Sequence, residues 1–262
     1  MPRVGLITAG LGSKNHIEAG RRVARTAKKL SFLSSIESFE ESDLKEFAPR
    51  VSNKYAKILN SETKGFGYFA WKPEIVLSAL RKYELDLVIW VDAGCEVNIN
   101  VLSKLKFNAQ VKKALKRGYY FYDLDYPEES YTKRDVQNKF PSVQGQTRQV
   151  QATYFMIGKS HLDLIEKWTH YVLEDLKNID LSPSLQEESK GFVEHRFDQS
   201  LLSLIVKSES LKISRRPPSG GVNSLRSLVR SLPEPIWTIR NRTGDSQVKK
   251  QIKSAFFRSS RD

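Results

Sequence analysis

Asp92 is the carboxylate best placed for chemistry. It follows Leu87-Val88-Ile89-Trp90-Val91, a continuous apolar run of the kind that forms a central strand buried on both faces. Ligands of open α/β sheets bind outside the carboxyl ends of the strands, so a carboxylate there is positioned for a nucleotide site. Its oxygens suit a hard cation, Mn2+ or Mg2+, which would neutralise a diphosphate leaving group. The same residue also suits a plain turn cap, and Gly94 lets the backbone approach a ligand closely. A literal Asp-x-Asp stands at Asp123 and Asp125 and is a rival, although acidic turn residues before Pro127 are an ordinary way to leave a sheet. Asp198 is the second candidate carboxylate. It lies in His195-Arg196-Phe197-Asp198-Gln199-Ser200, where Asp and Ser are also good helix-opening residues. His195 is either a ligand for metal or phosphate oxygen or a structural histidine.

The elements that must hold these groups alternate between strand and helix. Val4–Thr8 reads as a buried strand ended by Ala9-Gly10-Leu11-Gly12, with a helix over His16–Leu30 and weaker helical character over Phe47–Leu59. Pro73 fits the first turn of a helix running to Tyr83, because its missing N–H costs nothing there. A helix over Val101–Lys116, a strand over Tyr119–Tyr122, a loop with a short helix over Glu128–Arg148, and a strand over Val150–Ile157 follow. Helices over His161–Leu176 and Leu201–Lys207 flank a polar linker, 180–191. This alternation predicts an α/β sheet with helices on its faces. Gly10-Leu11-Gly12 lacks the third glycine of a dinucleotide fingerprint, since position 15 is Asn, which argues against an oxidoreductase.

Charge divides the chain. The 262 residues carry a net +13, and 207–262 holds 13 Lys/Arg against 4 Asp/Glu, a net +9. The expected organisation is a catalytic domain over 1–215 and a basic extension over 216–262, suited to a polyanionic partner such as an anionic membrane surface. Aromatics concentrate in the domain and charge in the tail, which argues against base stacking on nucleic acid. A non-catalytic polyanion-binding protein is the alternative reading. One cysteine, Cys95, permits no internal disulfide, and neither a signal peptide nor a spanning segment is visible. The expected location is cytoplasmic, peripheral at the inner face of the membrane.

The blocks GFGYFAWKP (65–73), DLVIWVDAGCEVN (86–98) and HRFDQSLLSL (195–204) resemble a group of bacterial-type glycosyltransferases with GYGYW.WKP, DAGC and HR.DQS motifs. YTKRD (131–135) and the QVQATYFMIGK strand stand in the expected order between them, and the resemblance covers about residues 4–207. It implies a GT-A fold, with a mixed central sheet and helices on both faces. The implied activity is hexosyl transfer from a nucleoside-diphosphate sugar, a UDP-sugar among them, to a hydroxyl of a glycan or lipid-linked acceptor in polysaccharide biosynthesis. Asp92, Ala93 and Gly94 would replace the motif that binds metal and diphosphate, although Gly94 stands where a second carboxylate belongs. Asp198 would be base for the acceptor hydroxyl or, with Gln199, bind sugar hydroxyls. Lys72 would touch phosphate or sugar beside a wall of Trp71 and Tyr68. Thr8, Ala9 and Gly10 would line base and ribose, and Arg21 and Arg25 face diphosphate or solvent.

Overall fold

A computed structural model describes residues 1–143, 147–215 and 232–238. Most of the expected basic extension, 216–231 and 239–262, lies outside the described residues. In chain order the strands are β1 (Val4–Ala9), β2 (Ser35–Phe39), β3 (Leu87–Val91), β4 (Glu96–Val97), β5 (Tyr119–Tyr120), β6 (Asp123–Pro127), β7 (Arg148–Val150), β8 (Tyr154–Gly158) and β9 (Ile236–Trp237). The helical segments are α1 (Lys14–Ala27), α2 (Leu44–Phe47), α3 (Pro49–Tyr55), α4 (Gly65–Tyr68), α5 (Lys72–Lys82), α6 (Val101–Arg117), α7 (Glu128–Tyr131), α8 (Arg134–Asn138), α9 (Leu162–Glu174) and α10 (Phe197–Ser208).

The main sheet has the order β2-β1-β3-β8-β5. β1 runs parallel to β2 and β3, whereas β8 runs antiparallel to β3 and β5, so the sheet is mixed. The carboxyl ends of β1, β2 and β3 therefore share one edge. β8 starts at that edge, with Val91 opposite Tyr154, and the N–H of Asp92 donates to the Thr153 carbonyl.

Both sheet faces are covered, as the uninterrupted apolar run in β3 requires. Leu6, Ile89 and Met156 point to one side and pack with Val23 of α1 and Phe107 and Val111 of α6. Ile7, Trp90 and Phe155 point to the other and pack with Ile75 of α5, Trp168 of α9 and Leu201 of α10. α1 starts where Ser13 accepts the N–H of His16, and it buries Ala19, Val23 and Ala27 at a spacing of four. It ends at Ala27 rather than Leu30, which packs in the core beyond the helix. A side chain at Gly10 would come within 2.3 Å of the His16 carbonyl oxygen, so glycine lets this helix close onto the strand end.

Three predicted elements change. The strand expected over Tyr119–Tyr122 pairs only at Tyr119–Tyr120, because Tyr122 bridges to Ser214 and the chain leaves the main sheet. The strand expected over Val150–Ile157 is two strands, β7 and β8, paired with different partners. The polar stretch after Glu128 contains two short helices, α7 and α8. Inside the expected extension, β9 pairs antiparallel with β4 and Ile236 joins the core beneath α6.

Candidate active site

Three residues far apart in sequence meet where β3 ends. Lys72, at the start of α5, is only 2% exposed, and its ammonium lies 3.2 Å from Asp92 Oδ1 and 2.8 Å from Asp198 Oδ2. The Trp90 indole N–H donates to Asp92 Oδ1 at 2.7 Å, and the Ala152 carbonyl accepts from Lys72 at 3.4 Å. The ammonium also lies over the rings of Phe69 and Trp90, 5.0 and 5.5 Å from their centroids. The carboxylates differ in access, with the side chain of Asp92 29% exposed and that of Asp198 only 5%. Asp198 Oδ2 faces the Lys72 ammonium and is closed off from solvent.

Burial pushes the Asp198 carboxyl up to about 6, and nearby Asp92 adds to the rise while Lys72 opposes it. Burial alone would lower Lys72, but Asp198 and Asp92 outweigh it and hold the ammonium above its ordinary value.

The backbone around this cluster is strained. Gly65, Phe66, Gly67, Tyr68 and Phe69 all have positive φ, from 55° to 90°, so α4 is a left-handed turn. Left-handed backbone costs an ordinary residue about 1–2 kcal/mol, and three of the five are aromatic. Phe197, directly before Asp198, is also left-handed at φ 51°. The two segments brace each other, with Phe197 lying 5.7 Å from the Tyr68 ring and 6.1 Å from the Phe69 ring. The Trp71 indole N–H latches the turn by donating to the carbonyls of Gly65 and Phe66. Such strain persists only where surrounding packing over-determines it, and it concentrates at functional sites.

The turn after Asp92 is held from beneath by a buried arginine. Arg22 Nη2 donates to the Ala93 carbonyl at 3.1 Å and the Cys95 carbonyl at 2.7 Å. Its neighbour Arg21, expected to face diphosphate or solvent, lies at the surface and pairs with Glu40 and Glu18. The signal that identifies Arg22 is the apolar stripe of α1, since Arg22 adjoins Val23 on the buried face.

Other expected site residues take different places. His195 is a structural histidine: Nδ1 accepts the Lys133 N–H at 3.3 Å and Nε2 lies 2.9 Å from the Asn178 carbonyl. That carbonyl only accepts, so Nε2 carries the proton and neither nitrogen is left for a metal or phosphate. Burial lowers its pKa to about 3. Trp71 is a core residue packed on Trp90, while Tyr68 lies against Phe197. Thr8 is fully buried under α1 with its hydroxyl lacking a hydrogen-bond partner, and Ala9 packs in the core. Gln199 spans the site's wall, donating to Gln149 Oε1 at 2.8 Å and accepting from the Ala152 N–H at 3.4 Å. Asp125 of the rival Asp-x-Asp is exposed and pairs with Arg148 on β7.

Asp92 is a single carboxylate whose Oδ1 is already taken by Trp90 and the Lys72 ammonium, and Gly94 has no side-chain donor. Among the described residues no group of three or more His, Cys, Asp or Glu is placed to hold a metal. A surface cavity of about 530 Å³ lined by Arg50, Glu166 and His170 lies between α3 and α9, away from the strand ends.

No protein-family model matches the chain, and no curated protein matches it. Among solved structures it is similar to a glycosyltransferase involved in glycosylation of the major capsid of PBCV-1, with TM-score 0.46 and 10% identity over 96% of this chain and 98% of that one. It is also similar to mouse xyloside xylosyltransferase 1 in its apo form, with TM-score 0.42 and 11% identity over 87% and 90%.

Proposed function

We propose that this protein is a glycosyltransferase that moves a hexosyl unit from a nucleoside-diphosphate sugar to an acceptor hydroxyl of a glycan or lipid-linked glycan. The observation that carries the reading is the buried Lys72 ammonium fixed between Asp92 and Asp198 at the carboxyl edge of the sheet. Asp92, part exposed beside the buried Lys72 charge, offers sugar hydroxyls an acceptor. In the transfer, the bond from the anomeric carbon to the diphosphate breaks with its electron pair going to the diphosphate oxygen, a bond to the acceptor oxygen forms, and the hydroxyl proton passes to Asp92. Lys72 supplies a buried positive charge behind Asp92 that acts through space on the leaving oxygen as it becomes negative. Lys64, exposed above the Phe197 ring at 4.6 Å, adds a second cation on the rim.

Asp92 is the carboxylate a substrate can reach. A base must approach the acceptor proton to hydrogen-bond distance, and Asp198 is sealed against Lys72. Asp198 therefore acts in this proposal as the residue that positions Lys72. No step is assigned to a metal.

Thermal unfolding with UDP, GDP, ADP and CDP tests the reading, followed by donor consumption with the matching sugar nucleotide. Binding at a hundred times Kd stabilises the native state by about 2.7 kcal/mol. The expected result is a raised midpoint with one nucleotide, lost in Lys72→Met. No shift with any nucleotide at saturating concentration would overturn it and favour a polyanion-binding protein.

A further inference from the structure

α6 presents a surface that the sugar-transfer reading leaves unused. Its 17 residues include six Lys/Arg and no Asp or Glu. Phe107, Gln110, Val111 and Ala114 face the protein and are buried. The opposite stripe begins with Val101, Leu102 and Leu105, which are 74%, 58% and 63% exposed, and continues into exposed Lys112, Lys113 and Lys116. Positions 101, 105, 108, 112 and 116 align along one side of a helix, with 102, 109 and 113 beside them. One face about 25 Å long therefore carries aliphatic side chains at one end and cations at the other.

A second observation concerns where the chain returns. Residues 232–238 are tied to the start of α6, because Asn98 and Asn100 both donate to the Leu232 carbonyl and Lys106 pairs with Glu234. The sequence on either side of this strap is basic, with three Arg and no acid over 216–231 and seven Lys/Arg against two Asp over 239–262. The strap at 232–238 therefore lies beside the aliphatic end of the helix.

We propose that α6 docks the protein on an anionic lipid bilayer, with Val101, Leu102 and Leu105 entering the headgroup boundary and Lys112, Lys113 and Lys116 meeting lipid phosphates. A lipid surface offers both chemistries that this stripe requires, an apolar interior and a layer of negative charge. A second copy of the chain does not: a two-fold contact through this face sets two helices without an acidic residue against each other. Nucleic acid matches the charge but gives the aliphatic side chains no partner, and the outward stripe has no aromatic ring for stacking. Each lysine at an anionic surface strengthens binding about fivefold.

The test is co-sedimentation of the full chain with phosphatidylcholine vesicles, with and without phosphatidylglycerol. Leu102→Ser/Leu105→Ser and Lys112→Glu/Lys113→Glu are compared with the parent after their thermal midpoints are matched, since all four positions are exposed. Binding that requires phosphatidylglycerol and falls at least about tenfold in each double variant supports the proposal. A blue shift of an environment-sensitive fluorophore on Leu102→Cys, seen only with those vesicles, supports the insertion. Equal sedimentation of parent and both variants would overturn it and assign binding to another surface. Sedimentation of none would overturn it as well, as would a parent dimer that Leu102→Ser/Leu105→Ser dissociates.

Discussion

Two of the buried lysine–carboxylate sites among the described residues are finished differently. Lys207 on α10 pairs with Glu128, and every group around them is satisfied: Ser203 donates to the carboxylate, Gln149 reaches it at 3.4 Å, and Thr147 accepts from the lysine at 3.0 Å. Burial lowers the Lys207 pKa, with Glu128 opposing. The backbone of Glu128 and Lys207 shows no positive φ. Lys72 faces two carboxylates instead of one, Asp92 is part exposed, and left-handed residues adjoin the cluster on two segments. A completed buried network rigidifies a fold. An incomplete one under strain is where a ligand has something to add.

The largest effect expected from this contrast is on turnover. Lys72→Met should lower sugar transfer at least about 1,000-fold, roughly 4 kcal/mol of transition-state stabilisation. Steady-state kinetics on folded protein reads this, and a loss below tenfold would remove Lys72 from the chemistry. Glu128→Gln should act on stability, costing about 3 kcal/mol by leaving the Lys207 ammonium buried without its charge partner. Activity per folded molecule should persist, and Glu128→Leu/Lys207→Met should recover most of the loss in chemical denaturation. Failure of that rescue would mean the Glu128 network does more than brace the fold.

A smaller and sharper effect lies in the pH dependence of the thermal midpoint. Asp198 is raised from 3.8 to about 6, so between these values the native state keeps a proton that the unfolded chain has released. Its contribution to stability is full below about pH 4 and is lost as pH rises through its folded pKa. His195 runs oppositely: lowered from 6.5 to about 3, it contributes fully above its unfolded pKa and loses that contribution as pH falls. Asp198→Asn should abolish the falling limb, and His195→Gln the rising one. Parallel profiles in all three proteins would refute both assignments. The smallest effect compares neighbours on α1: Arg22→Met should reduce turnover about tenfold by loosening the Asp92 turn, whereas Arg21→Ala should leave turnover and midpoint unchanged. Equal effects would show that the clamp on Ala93 and Cys95 is idle.

Much of the scaffold was legible in local pattern. The β3 run, the buried stripe of α1 and the proline at the start of α5 each state their structure through periodicity or a fixed φ. Lys72, Asp92 and Asp198 were each singled out, the lysine only through a family resemblance. Their convergence was not legible, because 126 positions separate Lys72 from Asp198 and no local rule sets that distance. The sequence left His195 open between ligand and structural histidine, because a histidine's role depends on what faces its two nitrogens. The left-handed turn left one clue, two glycines one residue apart within an aromatic run.

The sequence by itself determined an α/β chain with a carboxylate at the end of a buried central strand and a cationic C-terminal stretch. These follow from hydrophobic period, turn chemistry and composition, which act over a few residues. Tertiary structure alone decided that Lys72 sits between two aspartates, that Arg22 supports the turn, and that the strap at 232–238 returns to α6. Those outcomes depend on which apolar faces pack together and on which charges lose water when they do.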